Sequence, residues 1–453
     1  MIAALTLANL LDRGLLDYYS YNRNAAYATY EMASQRDPNS AMAYWGMALS
    51  RSPNINTPAD AGDFREAQPL IARAVGLEAT ATPRDRALID ALALRFAGDW
   101  DAHDADARAY REQMAVVAAA YPEDDDVAML YAEALAENGA WAQVASLTAT
   151  VLARDPEHPM ADHLCVHAYD DAAERSPAIP CAMRLDAMTF APEQEHLAHM
   201  PAHAWIETGD YARAVASSER GYRLSEALRA EPDAAPSEYE DHDVAIGYSA
   251  AMYLGNYAAA MRWRERGARL SGRPDALRSQ TMARFGRWIE LLALPPSKDD
   301  AQLPAARALA LARLGRWDEA ATDYKALPAA TKDTAIGAIA DARLLERAGK
   351  VETAVSVLRG FAEKQRLNYE AEYVPAWPVA EAIGGIYLRA KRYEDAAAAF
   401  AATLAQYPRD PRALYGLEAA ADAESMPGAA AEAKGKFDAA WAGADTALGP
   451  DDI

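Results

Sequence analysis

The chain has 453 residues, 51% hydrophobic and 25% charged, and a formal net charge of −22 from 45 Lys+Arg against 67 Asp+Glu. So acidic a balance offers no obvious cationic surface for phosphates and argues against a nucleic-acid partner. No stretch approaches 18 uninterrupted apolar residues, so no membrane span is expected. The two cysteines, Cys165 and Cys181, give neither a disulfide framework nor a C-x-x-C pair, which disfavours thiolate metal sites.

The length exceeds one ordinary compact core and calls for several domains or for repetition. The Ala-rich composition, with few alternating Val/Ile/Thr stretches, predicts helices. Residues 1–14 read as a first helix without a basic leader. As it stands the sequence reads as cytoplasmic, although a start left after removal of a signal peptide looks the same.

Tyr27–Pro38 has the pattern of the second helix of a hairpin, and Ala41–Leu49 that of the first helix of the next. Between Ser52 and Asp60 lies a polar loop whose Asn54 and Asn56 are expected to cap the following helix rather than orient a ligand. Further on, a Gly-x-aromatic punctuation recurs at Gly139-Ala-Trp141, Gly209-Asp-Tyr211, Gly255-Asn-Tyr257 and Gly315-Arg-Trp317, with degenerate copies at Gly349 and Lys391. Steps of 70 residues from Trp141 to Tyr211 and 34 from Trp317 to Val351 match two periods and one period of a helix–turn–helix repeat of about 34 residues. The fold class expected is therefore all-α, a tetratricopeptide-repeat-like α-solenoid, a right-handed superhelix of helix–turn–helix repeats. Three segments are expected: 1–125 with N-terminal repeats, 126–270 with the central repeats, and 271–453 with C-terminal repeats. A break is expected at 231–238, and a capping helix after Glu424.

Seven of the eight histidines fall between His158 and His242. His163, His167 and Asp170 follow i, i+4, i+7; His196, His199 and His203 follow i, i+3, i+7, so each set shares one face of a helix. Imidazole is the commonest metal-ligand side chain, and such spacings are hard to obtain from packing alone. The expected ligands are His158, His163, His167, His196, His199, His203 and His242. They would hold one or two transition-metal ions per chain, copper or iron favoured, with zinc also suited to imidazole. Asp170, Glu133 and Tyr169 are the catalytic candidates, and Asp170 is alternatively the carboxylate that fixes a ligand's tautomer. No zincin base is present, because Leu164 and Met200 occupy the positions where a His-Glu-x-x-His glutamate belongs.

The blocks His158-Pro-Met-Ala-Asp-His163-Leu-Cys-Val-His167-Ala-Tyr-Asp170 and His196-Leu-Ala-His199-Met-Pro-Ala-His203 resemble a bacterial subfamily of tetratricopeptide-repeat-like proteins. Its signature is close to His-Pro-Gly-x-x-His-x-x-x-His-x-x-Asp followed by His-x-x-His-Met-Pro-Ser-His. Ala41-Met-Ala-Tyr-Trp-Gly, Pro53-Asn-Ile-Asn and Glu240-Asp-His242-Asp also match, and the similarity spans roughly residues 25–265. Met160 and Ala202 stand where the subfamily has Gly and Ser. The resemblance implies a histidine site without naming its chemistry.

Three functions compete at this level. The first is a metal-dependent oxidoreductase acting on a small molecule in the concave groove, with a metal-dependent hydrolase as its sister reading. The second is a protein- or peptide-binding scaffold with a structural metal. The third is metal storage or delivery, with Cys165 and Met200 as soft donors.

Overall fold

The computed structural model describes residues 6–170, 172–232, 234, 237–368, 374–449 and 451–452. Among them every regular element is helical. The chain divides into two compact units, Met1–Ala204 with Arg220–Glu240, and Trp205–Glu219 with Asp241–Ile453. The border between them runs within the 126–270 segment.

The first unit contains α1 (Leu7–Tyr19), α2 (Arg23–Arg36), α3 (Ala41–Leu49), α4 (Ala61–Leu77), α5 (Pro83–Arg95), α6 (His103–Ala120), α7 (Asp125–Ala136), α8 (Trp141–Leu152), α9 (Pro159–Tyr169), α10 (Ala178–Ala187) and α11 (Glu195–His199). Two helices, α12 (Pro201–Thr208) and α13 (Tyr211–Ala230), cross the border. Consecutive helices pack as hairpins, α1 on α2 through α9 on α10. First helices also meet one another: α1 touches α3, α3 touches α5, and α9 touches both α7 and α1. This helix-hairpin repetition is the expected tetratricopeptide-like arrangement. The inner helices carry the apolar core, in which Trp45, Leu88, Leu92, Leu130 and Leu164 are buried.

Local chemistry sets the boundaries. Ser40, Thr82 and Asp124 each accept a first-turn backbone N–H as N-caps, and Pro83 and Pro159 occupy first helical positions where a missing N–H costs nothing. The capping expected of Asn54 is a correction: Asp60 caps α4 by accepting from the Gly62 and Asp63 N–H groups, at 2.7 and 3.2 Å. Asn54 Oδ1 instead accepts from the Asn56 and Thr57 N–H groups, at 2.9 and 2.7 Å, and closes the loop on itself as an Asx turn.

The second unit continues with α14 (Glu240–Leu254), α15 (Tyr257–Ser271), α16 (Arg278–Arg284), α17 (Trp288–Leu292), α18 (Leu303–Arg313), α19 (Trp317–Ala326), α20 (Ala329–Lys332), α21 (Ala335–Arg347), α22 (Val351–Leu367), α23 (Ala380–Arg389), α24 (Tyr393–Gln406), α25 (Pro411–Ala423) and α26 (Pro427–Ala440). The helix expected after Glu424 is α26, while the break expected at 231–238 lies in part outside the described residues.

The Gly-x-aromatic punctuation has a direct structural cause. Gly139 has φ 69°, and beyond it the Ala140 N–H donates back to Leu135 O at 3.1 Å, the closure of a left-handed helix C-terminus. At the degenerate copy, Lys391 adopts the same turn with φ 60°, and the Arg392 N–H donates to Tyr387 O at 2.9 Å. The repeat geometry thus persists where the residue that makes it easy is missing.

Two sequence expectations are corrected here. His196, His199 and His203 do not share one helix: α11 ends at His199 with Met200 as its C-cap, and α12 begins at Pro201, whose ring nitrogen has no hydrogen to continue the ladder. Cys165 and Cys181 form a disulfide that ties α9 to α10, and no free cysteine remains. Two cysteines too few for a framework still suffice for one bridge. Cys165 is therefore not a soft thiolate donor.

Candidate metal centre

Helix α9 starts where His158 accepts the Ala161 N–H on Nδ1 at 3.3 Å and Pro159 fixes the first turn. Residues Met160 through His167 are all buried, so α9 is an inner helix whose i, i+4 pair must face protein on every side. His163 has no exposed surface and His167 is 7% exposed, while His196, His199 and His203 have none.

The rings of these histidines close a circuit. Successive centroids are 5.0 Å apart from His163 to His167, 5.5 Å from His167 to His203, 5.2 Å from His203 to His199, 6.3 Å from His199 to His196, and 5.1 Å from His196 back to His163. Charging neighbouring imidazoles at these separations in a buried site would set like charges against each other. Burial, with the adjacent His167, holds the His163 imidazolium well below its ordinary pKa, so the neutral, ligating form is favoured.

Tautomers are set from outside the circuit. His163 Nδ1–H donates to the Tyr19 carbonyl at 2.8 Å, at the end of α1, and its buried Nε2 has no partner. His167 Nδ1–H donates to Asp170 Oδ2, also at 2.8 Å. Both rings therefore turn Nε2 toward the cluster, the arrangement in which a second partner orients a metal ligand. One ring nitrogen from each of His163, His167 and His196 lies within 4.8 Å of the other two. A tetrahedral ion with metal–nitrogen bonds of about 2.0–2.1 Å needs them roughly 3.4 Å apart, within reach of small side-chain rotations.

Asp170 is 7% exposed, its Oδ2 lies 3.9 Å from His203 Nδ1, and its Oδ1 has no hydrogen bond. The Asp170 carboxylate thus faces both the His167 and the His203 rings. His158 is turned to structural use, capping α9 with Nδ1 while Nε2 stands 3.5 Å from Asp126. Glu133 belongs to another network: its Oε2 accepts from the Tyr18 hydroxyl at 2.7 Å, and burial raises its carboxyl to about 8. The half-buried Tyr169 side chain makes no hydrogen bond or ring contact among the described residues. His242, buried on α14, belongs to the second unit.

Two tyrosines escaped sequence reasoning. Tyr21, fully buried in the α1–α2 turn, packs its ring 4.5 Å from His163 and 5.8 Å from His196. Its φ of 57° places a bulky residue in the left-handed region, a strained backbone of the kind found at functional sites. Tyr239 lies 4.3 Å from the His196 ring, and its hydroxyl meets Thr57 Oγ1 at 3.2 Å. Nothing in either residue's local sequence marks it.

Fold and site together define an all-α protein of tetratricopeptide-like helical repeats with a buried histidine cluster. No family model matches the chain. No curated protein matches it either. Among solved structures it is similar to the APC/C hetero-tetramer Cut9-Hcn1, at 11% identity and a TM-score of 0.38 over 94% of this chain and 77% of that one. It is also similar to the human IFIT1 dimer with m7Gppp-AAAA, at 11% identity and a TM-score of 0.34 over 96% and 94%. Likenesses this distant say nothing about the site.

Proposed function

We propose that the chain is a metal-dependent oxidoreductase in which His163, His167 and His196 hold a transition-metal ion, with copper or iron favoured over zinc. The observation that carries this is the pair of fixed tautomers on α9, His163 on Tyr19 O and His167 on Asp170, which turn Nε2 toward His196. Burying the acceptor nitrogen Nε2 of His163 without a donor costs about 1–3 kcal/mol, and a bound metal ion would offset that cost. An all-nitrogen donor set suits copper and iron as well as zinc. His199 and His203 extend the donor supply.

Two features favour redox over hydrolytic chemistry. Tyr21 and Tyr239 lie against ligand rings, and Glu133 is committed to Tyr18. A hydrolase needs a carboxylate to take a proton from metal-bound water, and that reading rests on Asp170 Oδ1 alone. A small-molecule substrate in the repeat groove remains the preferred partner, with a peptide-binding scaffold holding a structural metal as the alternative. The Cys165–Cys181 disulfide favours an oxidising compartment over the cytoplasm.

The test is oxygen uptake with phenolic and amine substrates by protein loaded with copper, iron or zinc, beside a His163→Ala, His196→Ala double variant. Turnover with copper or iron, absent with zinc and in the variant, is the expected result. Ester hydrolysis by the zinc form alone would move the assignment to the hydrolase.

A further inference from the structure

Away from the histidines, the first unit contains a cavity of about 720 Å³ bounded by the loop after α3, the end of α5, the start of α6 and the α7–α8 turn. Phe64, Phe96 and Trp141 give it apolar walls. Its charged lining is unusual for a chain of net charge −22: Arg95, Arg108 and Arg111 against Glu137 and Asp104.

Arg95 is the informative member. It is 4% exposed, and Nη2 donates to both Glu137 oxygens, at 2.8 and 3.0 Å, while the guanidinium covers the Tyr110 ring at 4.3 Å. Its Nη1 and Nε groups have no acceptor. A buried guanidinium normally fills its donor positions, because each one left open forfeits a charge-assisted hydrogen bond. Among the described residues Arg111 makes no ion pair at hydrogen-bonding distance, and its positive charge acts on the Glu137 carboxyl. Three guanidiniums, of Arg95, Arg108 and Arg111, against the carboxylates of Glu137 and Asp104 leave a local positive excess on the cavity wall.

The geometry points to a binding site for a small organic carboxylate with a flat apolar body, its charge held by Arg95 and Arg111 and its body against Phe96 and Trp141. Guanidinium is the preferred partner for carboxylate, and aromatic walls take a flat apolar group without demanding hydrogen bonds. The site does not depend on the metal. It is nevertheless close in the chain of contacts: the loop that supplies Asn54 to its wall meets the Tyr239 hydroxyl through Thr57, and the Tyr239 ring lies against His196.

The test uses the full chain, with 1-naphthoate and the neutral 1-naphthalenemethanol as probes, followed by calorimetry and tryptophan fluorescence. Expected are one naphthoate site per chain, at least tenfold tighter binding of the acid than of the alcohol, and a loss of tenfold or more in Arg95→Gln. Since Arg95 is buried and that variant can fail to fold, the half-buried Arg111→Gln is the second reading, with a loss of severalfold. Equal binding of acid and alcohol, no naphthoate site, or unchanged affinity in folded arginine variants would overturn the proposal.

Discussion

His167 Nδ1 lies 2.8 Å from Asp170 Oδ2, three residues further along the chain, and neither side chain is open to solvent. The carboxylate fixes which nitrogen carries the proton, and hence which one would be offered to the proposed metal ion. Asp170→Ala should therefore weaken metal binding by about 10–100-fold, the usual cost of losing such a partner. Competition with a chelator of known affinity measures this. An unchanged affinity would mean that His167 is not a ligand.

Metal removal should loosen the first unit, because the ion would bridge α9 and α11. A chelator is expected to lower the unfolding midpoint of the wild type and to leave a His163→Ala, His196→Ala variant where it is. Thermal scans at fixed protein concentration decide this. Equal shifts in both proteins would contradict it.

The Cys165–Cys181 bridge spans a sequence separation of 16. Loss of the loop constraint in a Cys165→Ala, Cys181→Ala variant should cost about 3 kcal/mol, mainly by enlarging the unfolded ensemble. Denaturant unfolding of the oxidised, reduced and double-variant proteins should place the last two together.

Glu133 gives a pH signature. Burial raises its folded pKa to about 8 from an ordinary value near 4.5, so the neutral acid is the form the fold favours. Its contribution to stability is complete below the unfolded pKa and is lost as pH rises through about 8. Glu133→Gln should thus be more stable than wild type at pH 9 by about 1–3 kcal/mol, with little or no such gain at pH 4. Denaturant midpoints at the two pH values test the sign.

Lys391 holds a turn at φ 60° that glycine holds at Gly139, Gly315 and Gly349. Lys391→Gly should stabilise the second unit by about 1 kcal/mol, and Gly139→Ala should destabilise the first by a similar amount.

The repeat fold was legible because its signals are local: a glycine and an aromatic at a fixed offset, a Ser, Thr or Asp cap, and the i, i+4 spacing of His163 and His167. The histidine cluster was visible for the same reason. What surrounds it was not. Tyr19 O reaches His163 across 144 residues, and Tyr21 and Tyr239 approach the rings from turns with no motif of their own. Pairing of Cys165 with Cys181 depends on α10 folding back along α9, which spacing alone does not reveal. The split of the second triad at Pro201 was written in the sequence and outweighed by the regular histidine spacing.

The proposed metal ion would be held by the imidazoles of His163, His167 and His196. Inductively coupled plasma mass spectrometry on protein purified without chelator or polyhistidine tag, beside the His163→Ala, His196→Ala variant, tests it most directly. A transition metal near stoichiometric in the wild type and lost in the variant is the predicted result. No metal in either protein, after growth with copper, iron and zinc supplied, would contradict the account and leave a histidine-lined helical-repeat scaffold.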